Sequence, residues 1–444
     1  MRPGAYRFFA TCARGTEGAL RKEIAALRIA GARGDMGGVW FEGPLEMGFS
    51  VCLHARVAMR VLVEVGRFEA FDADGLYAGA RAVDWGTWLT ARTTLAVAAD
   101  VSDAPELRHS GFAALKVKDA VVDALRDAVG ARPNVNPRDP DVAIRLHMQG
   151  KDAKLFVDLA GEPLHRRGYR VAMTDAPLKE TLAAAVLALG RVDPELPFVD
   201  PMCGSGTLAI EHALFARRIA PGLKRRFGFQ RWPLFAGEGP QQAWKRQLEA
   251  ARADVLPGPP APIVCAERFP DAVEAARKNA AAAGVEGDLM FEVGDVREAS
   301  PRWPHGTLVM NPPYGERLMG DGAAGTSASG ARAVAQGTPR GPSRRAVGAP
   351  PRVPGRGLPG APRAVGTDGD PARAARDAHV AQLKLAGLYR GMAEAFERFK
   401  GWGVVVLSGN PMWTEEIRRR PMITHRLFNG PLEVRLLRYE IPGR

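Results

Sequence analysis

At 311–314 the chain reads Asn311-Pro312-Pro313-Tyr314, directly after the apolar run "GTLVM". The Asn311 side-chain oxygen and the Pro312 carbonyl are hydrogen-bond acceptors. The prolines stiffen the loop and bring no N–H of their own to compete. Tyr314 adds an aromatic face. Acceptors beside such a face suit a flat polar ring that carries N–H groups.

Upstream, "FVDPMCGSGTLAIEHAL" runs from an apolar strand to Asp200, through Gly204 and Gly206, into a helix starting near Thr207. Glycines let the backbone approach a ligand, and a helix start offers free N–H groups. The turn lacks the G-K-[ST] ending of a phosphate loop and is not G-x-G-x-x-G. A strand ending in Glu267 follows, where a carboxylate can accept from two ribose hydroxyls. Its distance from Asp200, 67 residues, disfavours a dinucleotide site, where about 20 is usual. A third strand, "LMFEVGDV", delivers Asp295 at its C-terminal end, where ligands of open α/β sheets bind.

These groups need a sheet to bring them together. From about 177 onward the chain repeats strand, loop and helix, the rhythm of a doubly wound parallel sheet. "PLEVRLLRYEI" reads as a closing strand. The first half reads as α+β: strand, helix, strand, helix, strand over 1–66, with Thr16 as N-cap of the first helix. Over 67–165 come a strand, the amphipathic helix "FAALKVKDAVVDALRDAVG", and a hairpin turned at Gly150-Lys151.

The 444 residues fit two or three domains, and 46% hydrophobic composition supports real cores. The chain carries net charge +12, and such a basic balance suits a polyanionic partner. Half of that charge sits in 320–376, where nine arginines face three aspartates in a Gly/Ala/Pro-rich stretch. With almost no large apolar side chain, this insertion is expected to be disordered and solvated, or else an arm that touches nucleic acid. The cysteines Cys12, Cys52, Cys203 and Cys265 form no C-x-x-C pair, and with the histidines they show no metal-ligand spacing. "MRPGAYRFFATCARG" does not read as a signal peptide, and no apolar run approaches the ~20 residues of a membrane span. The expectation is a reduced, cytoplasmic, soluble protein without a metal.

"DPMCGSGT", "GDV" and "NPPYGERL", in this order, resemble a class I S-adenosylmethionine-dependent methyltransferase acting on amino groups. The resemblance implies a Rossmann-like α/β domain with S-adenosyl-L-methionine as cofactor. It places Asp200, Pro201, Met202, Cys203, Gly204, Ser205, Gly206 and Thr207 at the methionine side, Glu267 at the ribose, and Asp295 with Val296 at the adenine. Glu267 stands where family members usually carry aspartate. "APLKETLAAAVL" resembles the helix that precedes the first strand and closes over the methionine end. Asn311, Pro312, Pro313 and Tyr314 then form the catalytic loop. An exocyclic base amine is a poor nucleophile, its lone pair being delocalised into the ring. Acceptors on its N–H groups free that lone pair and stabilise the charge that develops. Tyr314 can stack on a flipped-out base. The motif does not choose between guanine N2, adenine N6 and cytosine N4.

The first half narrows the substrate. "PELRHSGFAALKVKDAVVDAL", "RPNVNPRDPDVAIRLHM" and "LFVDLAGEPLHRRGYR" resemble a THUMP domain preceded by a ferredoxin-like module, an RNA-binding pairing. Arg108, His109, Lys116 and Lys118, and separately His165, Arg166 and Arg167, are candidate phosphate contacts. With "FNGPLEVRLLRYEI", the match extends to the bacterial large-subunit ribosomal RNA guanine-N2 methyltransferases. Some members carry a second methyltransferase domain after this point; the chain ends at Arg444, and no second activity is implied for it.

The expected organisation is a ferredoxin-like module over 1–66, a THUMP RNA-binding domain over 67–165, a linker over 166–176, and a methyltransferase domain over 177–444 that holds the 320–376 insertion. The expected activity is methyl transfer to guanine N2, with 23S ribosomal RNA or a large-subunit assembly intermediate as partner and no obligate protein partner visible. The alternatives are transfer RNA as substrate, DNA amino methylation, which this N-terminal half disfavours, and a non-catalytic ribosome-assembly factor.

Overall fold

The strand β7, Val142–Gln149, buries Val142, Ile144, Leu146 and Met148 and turns the residues between them outward, the period of a half-buried strand. It pairs antiparallel with β8, Asp152–Asp158, across Gly150-Lys151, as the sequence predicts. The structure, a computed structural model, describes residues 4–174, 178–314 and 371–443, the side chains of 371–375 and 377 excepted.

The first half contains β1 (Tyr6–Thr11), α1 (Glu17–Ala26), β2 (Arg33–Asp35), β3 (Gly38–Gly43), α2 (Leu45–His54) and β4 (Arg60–Glu69). It continues with α3 (Ala73–Arg81), β5 (Thr94–Ser102), α4 (Ser110–Val129) and β6 (Asn134–Val135). All eight strands join one sheet, in the order β2-β3-β1-β4-β8-β7-β5-β6. The two expected N-terminal modules therefore share a continuous sheet. Strand β4 bonds to β1 on one side and to β8 on the other. The expected boundary at 66/67 falls inside β4, just after a register shift between Glu64 and Gly66. Thr16 holds the N-cap position of α1, but its hydroxyl donates to the Ala13 carbonyl (2.7 Å) and makes no cap bond.

The second half contains α5 (Glu180–Leu189), β9 (Phe198–Asp200), α6 (Thr207–Ala216), α7 (Glu238–Ala253), β10 (Ile263–Glu267), α8 (Pro270–Ala283), β11 (Leu289–Val293) and β12 (Thr307–Met310). After these come α9 (Pro371–Phe396), β13 (Gly403–Ser408), α10 (Met412–Ile417), β14 (Ile423–Asn429) and β15 (Leu432–Glu440). The seven strands run in the order β11-β10-β9-β12-β13-β15-β14. The inner strands are parallel, while β15 is antiparallel to both β13 and β14. The expected closing strand is β15, which forms a hairpin with β14.

The chain divides into a unit of 1–314 with 386–444, which holds both sheets, and a second unit of 315–385. The described part of the second unit is the start of α9. The expected disorder of 320–376 lies outside the described residues except at 371–376, which are helical.

The stretch 220–251, between α6 and β10, packs into the core of the first sheet. Phe49 of α2 stacks on Phe229 at 4.1 Å between ring centroids, and Trp244 of α7 meets Phe229 edge-on at 5.2 Å. Trp88 and Trp232 form another edge contact at 5.5 Å. Such aromatic pairs add about 0.5–1.5 kcal/mol each beyond their burial. They fasten the nominal second half onto the first.

Candidate active site

The chemistry-bearing residues converge on the C-terminal edge of the second sheet. Strand β9 ends at Asp200, β10 at Glu267, and β12 immediately before Asn311. These are neighbouring strands, β9 lying between the other two.

The turn after β9 relies on two left-handed glycines with different roles. Gly204 has φ +53°, and a methyl built on it would meet only the Thr174 hydroxyl, at 3.7 Å. Gly206 has φ +84°, and a methyl there would sit 2.9 Å from Cβ of Ala276 in α8. Gly206 thus permits helix packing, whereas Gly204 leaves open space where a ligand could lie. The Gly204 N–H donates to Glu267 Oε2 (3.2 Å), and the Arg268 N–H donates to Oε1 (2.8 Å). Each oxygen keeps acceptor capacity for a further donor. Burial raises the Glu267 carboxyl above its ordinary value, against the pull of those N–H groups. Asp200 is buried as well. Its Oδ1 accepts the Met202 N–H (3.2 Å), and its Oδ2 has no partner. Burial raises its carboxyl well above the usual range, and the nearby Glu267 adds to this. An orphaned carboxyl oxygen at the end of the strand that leads into an open glycine turn suits the ammonium end of an amino-acid-like ligand.

Asp295 is held by Arg297 through two bonds, at 2.9 and 2.7 Å, and accepts the Arg297 N–H at 2.9 Å. This pairing keeps its carboxyl below the usual range. With Pro201, Ala266 and Gly294 it lines a crevice of about 260 Å³. Val296 is buried beside it.

The Asn-Pro-Pro-Tyr loop is braced from three sides. Tyr389 of α9 donates its hydroxyl to the Pro313 carbonyl (2.7 Å), and Asn410 donates to the Tyr314 carbonyl (3.2 Å). The Tyr314 hydroxyl donates to Asn311 Oδ1, so it occupies one of the acceptors expected to face a substrate amine. Its ring lies against Gly409, where an added methyl would come within 3.0 Å. The ring face expected for base stacking is therefore partly covered.

Several expected contacts point elsewhere. Cys203 is in the core: its thiol donates to the Gly204 carbonyl (3.6 Å), and a hydrogen bond with Cys265 pushes its titration up, so only its backbone can line the turn. Ser205 and Thr207 are buried, and their hydroxyls accept from Arg170 (both 3.2 Å). Arg167 is corrected: it is buried, 3.6 Å from Glu211, and donates to the Leu164 and Arg56 carbonyls. It cannot reach a phosphate. His165 is half-buried with an unpartnered Nδ1, and burial lowers its titration. Arg166 is exposed, with Glu162 at 3.6 Å. Arg108 and His109 are exposed at the start of α4, Lys116 lies 5.9 Å over the Phe112 ring, and Lys118 pairs with Asp119 at 2.6 Å.

Sequence reasoning missed the residues that hold the turn in place. Arg170 pairs with Glu180 of α5 (3.0 Å) and donates to the Leu178 carbonyl (3.0 Å) as well as to the two hydroxyls. Asn279 of α8 accepts the Val171 and Ala172 N–H groups and donates to the Ala172 and Ser205 carbonyls. No local pattern announces an asparagine inside an alanine-rich helix. Among the described residues, no three or more His, Cys, Asp or Glu could hold a metal ion, and no helix is long and apolar enough to cross a membrane.

Comparison with known proteins accounts for the three parts. Residues 7–62 match an RlmL ferredoxin-like domain, 70–158 a THUMP domain, and 167–327 an RMKL-like methyltransferase domain. The chain is 36% identical over 457 residues to the ribosomal RNA large subunit methyltransferase K/L of Syntrophotalea carbinolica, covering 98% of this chain and 53% of that protein. It is 31% identical over 436 residues to a candidate RNA methyltransferase of Synechocystis sp., covering 98% of this chain and 96% of that protein. The chain spans about half the length of the K/L relatives. A solved structure of a candidate methyltransferase, SMU.472, complexed with SAH, aligns with a TM-score of 0.78 at 26% identity over 99% of both chains.

Proposed function

The chain belongs to the family of THUMP-domain RNA methyltransferases, and from that premise we propose that it methylates the exocyclic N2 amine of a guanine in 23S ribosomal RNA, using S-adenosyl-L-methionine. The cofactor supplies an electrophilic methyl group carried on a sulfonium. The SAH bound in the SMU.472 structure supports this choice of cofactor, as do the open cradle over Gly204 and the orphaned Asp200 oxygen. Asp200 receives the ammonium end, Glu267 accepts from the ribose hydroxyls, and Asp295 with Val296 borders the adenine.

The observation that carries the reading is the position of Asn311 at the end of β12, one strand from the glycine turn. Asn311 Oδ1 and the Pro312 carbonyl hold the amine N–H groups and orient the nitrogen lone pair for in-line transfer. Tyr314 releases Asn311 as the base enters, and its ring becomes available to the base. No general base is needed during transfer, because the proton leaves the charged amine afterwards. A ring nitrogen such as guanine N7 carries no N–H and would leave both acceptors unused.

The test is incubation with methyl-labelled cofactor and unmodified ribosomal RNA or transfer RNA, followed by nucleoside mass spectrometry. N2-methylguanosine in the large ribosomal RNA supports the reading. N7-methylguanosine would overturn the amine assignment. N2-methylguanosine confined to transfer RNA would move the substrate. No product from either RNA, with intact cofactor binding, would favour the assembly-factor role.

A further inference from the structure

We infer that a basic cleft at the seam between the N-terminal sheet and the segment "LKRRFGFQR", Leu223 to Arg231, binds the phosphodiester backbone of the RNA, with Lys224 and Arg226 as its principal contacts. This deepens the proposed function and rests on RNA being the acceptor. The cleft, of about 730 Å³, is lined by five accessible cations, Arg166, Lys224, Arg225, Arg226 and Arg231, and by the buried Arg167, which Glu211 holds, against two acidic side chains, Asp139 and Glu162.

The segment is held rigidly. Phe227 and Phe229 are buried in the core of the first sheet. The Gly228 and Phe229 N–H groups donate to the Ala160 and Leu159 carbonyls (3.3 and 3.1 Å), just beyond β8. Gly161 and Gly228 touch backbone to backbone: a methyl on either would lie 3.1 Å from the other. The chain crossing is therefore tight and the aromatic side chains face inward, which leaves the basic residues on either side of them to line the cleft.

The cations divide by role. Arg225 donates to the Glu162, Pro163 and Arg166 carbonyls, and Arg231 pairs with Asp139 (2.9 Å) and donates to the Pro140 carbonyl (2.7 Å). Both staple the seam. Arg226 is exposed and has no partner among the described residues; Lys224 is exposed with a single carbonyl, that of Ala283 at 3.1 Å. Arg166 faces the same cleft and has only an exposed pair with Glu162, which is worth little. The result is an open groove that presents Arg226, Lys224 and Arg166 without a buried acidic partner. It lacks the enclosed cage of a small-anion site and the apolar anchor of a peptide groove. A strand of regularly spaced phosphates is the occupant that fits.

The test uses the full-length protein, a large-subunit ribosomal RNA fragment transcribed without modification, and fluorescence anisotropy across a potassium chloride series. The double variant Lys224→Gln/Arg226→Gln is expected to weaken RNA binding about tenfold and to lower the salt slope by about one to two. Its melting temperature and its S-adenosylmethionine affinity are expected to match the parent's. Arg231→Gln, by contrast, is expected to lower the melting temperature, which separates staple from contact. An unchanged Kd and slope in the double variant, while the parent binds and methylates RNA, would overturn the cleft and leave the proposed function standing. A parent that neither binds nor methylates RNA would overturn both. A double variant that loses binding of polyglutamate but not of RNA would assign the cleft to an acidic protein and overturn the inference.

Discussion

The backbone N–H of Gly204 donates to Glu267 Oε2 at 3.2 Å, joining the glycine turn after β9 to the carboxylate that ends β10. One side chain thus shapes the turn and keeps acceptor capacity for a ribose. Removing it as Glu267→Ala is expected to weaken S-adenosylmethionine binding by roughly 10- to 150-fold, the worth of hydrogen bonds to a charged group. Glu267→Gln, which keeps an acceptor, is expected to lose less. Titration calorimetry on both variants decides this, and equal parent-like affinity in both would remove Glu267 from the site.

The two turn glycines are expected to fail differently. Both occupy the left-handed region, where a side chain costs about 1–2 kcal/mol. Gly206→Ala also collides with Ala276, so its main effect is a lower melting temperature. Gly204→Ala escapes that collision and narrows the cradle, so its main effect is lost cofactor affinity. The reverse pattern would exchange their assigned roles.

On the proposed function, Asn311→Ala is expected to lower kcat about 10²- to 10³-fold with cofactor affinity retained, because it would remove an acceptor for the charge developing on the amine. Tyr314→Phe keeps the ring and removes the hydroxyl that bonds Asn311, so a loss below about tenfold is expected. Single-turnover methylation with saturating RNA separates the two. A Tyr314→Phe loss as deep as that of Asn311→Ala would give the hydroxyl a direct part in transfer.

Asp200 makes apo stability depend on pH. Its carboxyl titrates well above its ordinary 3.8 in the folded protein because it is buried. The unfolded chain therefore releases this proton at lower pH than the folded one, and this group's contribution to stability falls as pH rises from 3.8 through the raised value. Asp200→Asn lacks the effect. Its melting temperature relative to the parent's is expected to rise with pH over that window, while cofactor binding weakens. A gap that stays constant with pH would mean that Asp200 is not titrating there.

Arg170 and Glu180 form a partly buried ion pair at 3.0 Å behind the turn. Arg170→Ala strands the Glu180 carboxylate and is expected to cost about 3–5 kcal/mol in urea unfolding. Adding Glu180→Gln is expected to recover part of that loss. Simple additivity of the two substitutions would argue against a coupled pair.

Much of the edge chemistry is legible because strand ends and turns are local. An apolar run of strand length ending in Asp200, Glu267 or Asn311 places each group at a sheet edge whatever the partners are. The order "DPMCGSGT", "GDV", "NPPY" then tells which edge they share. The reading failed where a residue's environment comes from far away in sequence. Arg167 looks like any cation in "HRRGYR", yet Glu211, from α6, draws it inside. The stretch "KRRFGFQR" carries a signal, basic residues around two phenylalanines, but it sits between domain patterns and belongs to none of them.

The element types, the polar groups delivered to the C-terminal edge of the second sheet and the basic character of the chain follow from the sequence, since each depends on neighbours a few residues apart. Tertiary structure decided which groups face a ligand and which face the core: Gly204 over open space but Gly206 against Ala276, Arg226 exposed but Arg167 buried. It also joined the two N-terminal modules into one sheet and moved 220–251 into their core. The physical reason is that burial and pairing are settled between distant segments, where the loss of water-exposed area and the matching of charges depend on the whole fold.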